Sequence, residues 1–406
     1  MEILFKQRLA SYQIEELEKR IPFLSENKLI YSINYQNDMA YSMTISSDVD
    51  IDFEELSELV GSLLEDIYKI KDIPSRIVWE TTKSPIKCSD QQIMDSDLVY
   101  KNANGQITLT GDLLCLFLSL DELFSSISQQ LFHCKAYRFP VLLPTRTLEA
   151  TGYFEHNPHQ WMNVHRLKRG SQNYHQSLKG NMPKDHSCPE MTDTEFSLPP
   201  TMCYYVYDML KYKSIENSSY TTSGRSFRYE GNLILPFERL IDFTIRETVF
   251  VGTKEYVESS VDQYMHCTTG VMDILGLAGR CETANDMFFM TDRTAQRLNI
   301  QKMLGTKYEL LLNIPDDKVV AVASFNKHGN FIGKRFNIQT GGFPGNTAYS
   351  SCVGIGLERL VYACVTQTGL NNICQLIDRV KDTTSIIQQL QEYNQAGIRY
   401  DKNKPE

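Results

Sequence analysis

The chain predicts an α+β fold, an antiparallel sheet flanked by helices with a smaller α+β module ahead of it. Three observations carry this. Strand-like runs follow one another from Tyr229 to Ile338 without the alternation of a βαβ series, and helical runs gather after Leu357. The first 125 residues form a separate texture of two short strands and one amphipathic helix. Finally, 406 residues, 42% of them hydrophobic and 22% charged, suffice for one large core plus a smaller one.

The elements follow in order. Lys28–Asn34 and Met39–Ser46 read as strands joined by a turn at Asn37-Asp38. Phe53–Lys71 carries Leu56, Leu59, Val60, Leu63, Leu64 and Ile67 at helical spacing, a core-facing stripe. Arg76–Glu80 is a further short strand, and Asp121–Leu131 a helix. Arg138–Pro144 is apolar but interrupted by prolines, and Ser171–Leu198 is a polar surface excursion. Tyr229–Val251 suits two long strands around a polar Gly231–Pro236 connection. Tyr308–Leu312, Val319–Phe325 and Arg335–Ile338 add strands, and Leu357–Thr368 and Ile373–Tyr393 are helical. This gives a module at 1–125, a larger domain at 126–398 and a tail at 399–406.

A net charge of −9 argues against the broadly basic surface of a nucleic-acid binder. The opening MEILFKQRLASYQIEE lacks the apolar stretch of a signal peptide, and no apolar run spans a bilayer, so the reading is cytoplasmic, with no membrane partner. The ten cysteines are scattered without a CxxC pair, so the default for each is a small buried hydrophobe.

Three segments carry chemistry. Arg228-Tyr229-Glu230 pairs a guanidinium suited to phosphate with a carboxylate suited to an exocyclic amine; on a strand both would face one side. Alone, such a pair is usually a surface ion pair. Gly354-Ile355-Gly356-Leu357-Glu358-Arg359 permits close backbone approach and sets an Arg on the first turn of a helix. Leu198-Pro199-Pro200-Thr201-Met202-Cys203 is bland by itself.

Their order and spacing resemble the signature of class II aminoacyl-tRNA synthetases. Arg228–Glu230 with its loop resembles motif 2, Gly354–Arg359 motif 3, and Phe139-Pro140 through Phe154 motif 1 with its following helix. The likeness spans about Cys134 to Gly369. Within the class it is closest to a zinc-dependent branch holding threonyl-tRNA synthetase, archaeal-type seryl-tRNA synthetase and the bacterial amino acid:carrier-protein ligases.

The resemblance implies a metal set of Cys203, Glu247 and Cys352, spaced 44 (247 − 203) and 105 (352 − 247) residues apart. Two thiolates and a carboxylate leave one tetrahedral position open for a substrate amine. A rival set using Cys134 and Cys281 falls away from the family's positions. The resemblance further implies an ATP site of Arg228, Glu230, Arg239, Phe243, Glu309 and Arg359. Magnesium would lean on Glu309, because the strand position that often carries a second acid is here Val320. Glu282, Asn285 and Asp286 are candidates for the amino-acid pocket, and Pro140 for a motif 1 homodimer interface.

The implied reaction is activation of a small amino acid to an aminoacyl adenylate, with ATP, Mg2+ and Zn2+ as cofactors. The acceptor is expected to be the phosphopantetheine thiol of a carrier protein, since the first module shows neither coiled-coil heptads nor a basic stretch for tRNA. The alternatives are an atypical seryl-tRNA synthetase and a catalytically inactive paralogue used as a binding subunit. The basic run His165-Arg166-Leu167-Lys168-Arg169 could meet an acidic carrier helix or simply be solvated.

Overall fold

The computed structural model describes residues 1–81, 86–102, 106–169, 191–231, 235–285, 294–341 and 345–401. The N-terminal strands β1 (Glu2–Leu9), β2 (Leu29–Gln36) and β3 (Met39–Ser47) form an antiparallel sheet in the order β1-β3-β2. Asn37 and Asp38 turn the β2–β3 hairpin with φ of 51° and 60°, values that short polar side chains tolerate best. Helices α1 (Ser11–Glu18) and α2 (Phe53–Ile67) cover one face. The Asp52 carboxylate caps α2 by accepting from the amides of Glu54 and Glu55. Leu17, Met43, Val60 and Leu63 are fully buried in a core belonging to this unit alone.

From Ile77 the chain belongs to a second, larger unit. Its strands are β4 (Ile77–Glu80), β5 (Lys135–Tyr137), β6 (Ser218–Phe227), β7 (Asp242–Gly252), β8 (Gly279–Thr283), β9 (Lys307–Asn313), β10 (Val319–Gly329) and β11 (Tyr349–Gly356). They form one sheet in the order β4-β8-β9-β10-β11-β7-β6-β5, antiparallel except for the β5 edge. The helices packed on it are α3 (Gly111–Phe132), α4 (Cys203–Leu210), α5 (Lys254–Leu275), α6 (Phe331–Phe336), α7 (Leu357–Thr368), α8 (Ile373–Lys381) and α9 (Thr383–Asp401). The expected division at residue 125 falls inside α3, whose Leu116, Leu120 and Leu123 join the large core.

Several expected elements move. The first long strand is β6, not a segment beginning at Tyr229, and Arg228–Glu230 lie just beyond its end. Its sequence SSYTTSGRSF is hydroxyl-rich, yet Thr221 and Thr222 are almost fully buried, and Thr221 donates to the Glu247 carbonyl at 3.1 Å. Arg335–Ile338 is not a strand. Phe331–Phe336 is helical because Ile332 and Phe336, four residues apart, bury one face, and Asn337 at φ 50° ends the turn. Ile373–Tyr393 is two helices divided at Asp382. Most of the Ser171–Leu198 excursion lies outside the described residues.

Candidate active site and metal centre

The middle of the large sheet floors a cavity of about 720 Å3 that receives side chains from β7, β9, β10 and β11, from the turn after β6 and from the starts of α4 and α7. Cys203 opens α4, Glu247 lies midway along β7, and Cys352 lies within β11. All three are buried, and their ligand atoms lie within 4.8 Å of one another. Cys134 and Cys281, the rival pair, are not part of this group; burial pushes each thiol up to about 12.

Glu247 is held from behind. Its Oε2 accepts from Thr201 Oγ1 at 2.6 Å and from the amides of Met202 and Cys203 at 3.0 and 3.2 Å. Its Oε1 lies on the side of Gly354, 3.8 Å from where a Cβ there would sit. The same carboxylate thus fixes the start of α4 and keeps an oxygen within 4.8 Å of the two sulfurs. A Cβ at Gly224 would come within 2.5 Å of the end of the Met202 side chain, which would have to swing aside.

Burial pushes the Cys203 thiol above its ordinary range. Cys352 stands well above it, first because of the neighbouring Cys203 sulfur and then because of burial. Two thiols and a carboxylate converging without a cation resist ionisation; a bound divalent ion removes that resistance and selects thiolates. Among the described residues, this is the one group of three or more His, Cys, Asp or Glu side chains close enough to hold an ion. Two soft sulfurs with one oxygen suit zinc rather than magnesium or calcium.

The same cavity is lined by Arg228, Glu230, Arg239, Phe243, Glu309 and Arg359. The Arg228 guanidinium lies over the Phe243 ring, 5.3 Å from its centroid, and its Nε donates to the Pro200 carbonyl at 3.1 Å. Buried Glu230 pairs with Arg239 at 3.1 Å and accepts from Gln160 Nε2 at 3.5 Å. Glu309 pairs with Lys307 at 2.9 Å. Arg359 donates to the carbonyls of Glu238 and Ala321 at 2.8 and 3.2 Å, so its guanidinium is fixed although burial lowers its pKa. Val320, apolar as read, also lines the cavity.

Of the pocket candidates, Asn285 lines the cavity, Glu282 pairs with Arg280 at 2.9 Å and is not among the lining residues, and Asp286 lies outside the described residues. Pro140 is exposed between β5 and the following segment. Thr201, Gln160, Asn326 and His328 were not singled out from the sequence. A polar i, i+2 pair at Asn326 and His328, ending an otherwise apolar strand, was a usable signal; Gln160 carried none.

Comparison with curated proteins finds type-2 serine–tRNA ligases. That of Methanocaldococcus jannaschii is 25% identical over 280 residues, 66% of this chain and 53% of that protein. That of Methanococcus maripaludis is 24% identical over 337 residues, 80% of this chain and 63% of that protein. The chain is homologous to these ligases. A further relative is an amino acid–[acyl-carrier-protein] ligase of Bradyrhizobium diazoefficiens, 26% identical over 235 residues, 56% of this chain and 67% of that protein.

The chain therefore spans between half and two-thirds of the archaeal relatives' length. Among solved structures, M. kandleri SerRS in complex with A. aeolicus tRNASec matches 96% of this chain and 77% of its own, with a TM-score of 0.66 at 18% identity. Seryl-tRNA synthetase from Pyrococcus horikoshii complexed with ATP matches 68% and 57%, with a TM-score of 0.50 at 12% identity. These likenesses establish the class II synthetase fold. No family model matches the chain. No helix among the described residues is long and apolar enough to cross a membrane.

Proposed function

We propose that the chain activates a small amino acid with ATP and transfers it to the phosphopantetheine thiol of a carrier protein. The observation that carries the reading is one cavity in which a Cys203–Glu247–Cys352 cluster faces the arginine–carboxylate set around Arg228. The ATP part draws support from homology to ligases.

In this reading Arg228 neutralises the α-phosphate while the amino acid carboxylate attacks it, and pyrophosphate leaves with its charge balanced by Arg359 and Arg239. Glu230 accepts from the adenine amino group, with Phe243 and Arg359 on the two ring faces. Glu309 supplies an oxygen for magnesium. Cys203, Glu247 and Cys352 would hold zinc, which when bound supplies an open position favouring a neutral α-amine. The residues around that position orient the amine so that its carboxylate points at the phosphate. Glycine, alanine and serine are the candidate substrates, because the metal pockets of the branch this chain resembles are small.

The net charge of −9 favours a carrier acceptor over tRNA, and the exposed run His165–Arg169 offers an acidic carrier helix a complementary strip. A second reading, seryl transfer to tRNA, is favoured by the relatives' names. ATP–pyrophosphate exchange across the amino acids identifies the substrate. Comparing tRNA with a phosphopantetheinylated carrier as acceptor then separates the readings: robust tRNA charging would reverse the preference, and exchange with no amino acid would make the chain a binding subunit.

A further inference from the structure

We infer that Asn326 and His328 are positioning residues for the Cys352 sulfur, two N–H donors that hold its thiolate toward Cys203 and Glu247 and tune its bond to zinc. The inference rests on the zinc reading proposed above. On β10 the two residues are two apart and therefore share a face, and Asn326 stands directly opposite Cys352 on β11. Asn326 Nδ2 lies 3.7 Å from Cys352 Sγ, and His328 Nε2 lies 3.7 Å from the same atom.

The far side of the imidazole sets its proton. His328 Nδ1 is 3.2 Å from Ser350 Oγ and 3.3 Å from the hydroxyl of fully buried Tyr207. A hydroxyl can donate to Nδ1, and an accepting Nδ1 leaves the ring proton on Nε2, facing the sulfur. A thiolate is an acceptor, so it and this tautomer are complementary. The two sulfurs are not equivalent: outside the three-residue cluster, Cys203 Sγ has the Thr201 hydroxyl beside it at 3.8 Å. Such outer partners fix ligand orientation, and their loss typically weakens metal binding about 10–100-fold.

Both residues also line the cavity, so turnover alone would not separate positioning from substrate contact. The test is therefore made on the whole chain loaded with cobalt(II) in place of zinc, reading the thiolate-to-metal charge-transfer band and affinity against a competing chelator. In His328→Ala the loss of an N–H donor raises the energy of the thiolate electrons. The band is therefore expected to move to longer wavelength, and binding to weaken by about 10-fold. Asn326→Ala should act in the same direction, His328→Gln should restore part of both effects, and Tyr207→Phe should fall between wild type and His328→Ala.

Circular dichroism checks folding, and if His328→Ala is unfolded the Asn326 and Tyr207 variants carry the comparison. A wild-type band and affinity unchanged in all these variants would overturn the inference while leaving the metal site intact. A wild-type chain that gives no charge-transfer band, or one indifferent to Cys203→Ser, would overturn the metal reading itself.

Discussion

Glu247 carries two duties through one carboxylate. Its Oε2 ties down Thr201 and the amides of Met202 and Cys203, and the carboxylate also has an oxygen within 4.8 Å of the sulfurs of Cys203 and Cys352. Cys203→Ser is expected to abolish bound zinc and exchange together, whereas Cys134→Ser, at a buried thiol away from the cluster, leaves both; metal analysis beside pyrophosphate exchange reads this. Thr201→Val should cost less, about 1–3 kcal/mol of stability by leaving the Glu247 oxygen short of a donor, read by thermal unfolding. Arg228→Lys keeps charge but loses the planar fork over Phe243, and exchange should fall about 100–1000-fold. The residues of this site were legible only through the order of three motifs, because ligands 44 and 105 positions apart leave no local pattern. Supporting residues such as Gln160 were illegible because a glutamine in a turn carries no sign of what it will touch.

Elements show why. The hairpin at Asn37-Asp38 and the stripe on α2 were readable because their turn chemistry and period are local. The strand β6 was not, since its buried hydroxyls find partners only across the sheet, as Thr221 does. Nothing in the sequence told that the first module reaches the cavity. Yet Glu16 and Lys19 line it, Phe23 meets His159 edge-on with centroids 4.6 Å apart, and Tyr229 donates to Glu26 at 3.2 Å. Gly231, at φ 58°, leaves room for the Pro22 carbonyl, which a Cβ there would approach to 3.0 Å. Gly231→Ala is expected to loosen this seat at a cost of about 1–2 kcal/mol and to weaken ATP binding by calorimetry.

His159 adds a pH dependence to the same contact. Burial first, and then the Arg20 charge, lowers its pKa to about 4 from 6.5. The folded state therefore binds fewer protons than the unfolded one between those values, and this contribution to stability, complete above 6.5, is lost as pH falls toward 4. An NMR titration of the His159 ring should find it neutral at pH 6; a midpoint near 6.5 would place the ring in water.

At the scale of the molecule, one sheet gathers the cavity while the first unit closes against the Arg228–Gly231 turn. Exposed Tyr137, Val141 and Leu142 flank Pro140, where a homodimer is proposed. Sedimentation should give twice the 46.7 kDa of the chain, and Leu142→Glu should return it to one copy. The antiparallel sheet was legible as a succession of strands, but the division near residue 125 was not a reading that local pattern could sharpen. Whether β4 joins the first sheet or the large one depends on pairing with β8, some 200 residues away. The central claim is that a metal held by Cys203, Glu247 and Cys352 grips the amino acid beside ATP. The direct measurement is pyrophosphate exchange with the preferred small amino acid before and after stripping the metal with a chelator. The account predicts that exchange disappears with the metal and returns with added zinc. Exchange that persists undiminished in the stripped protein would contradict it.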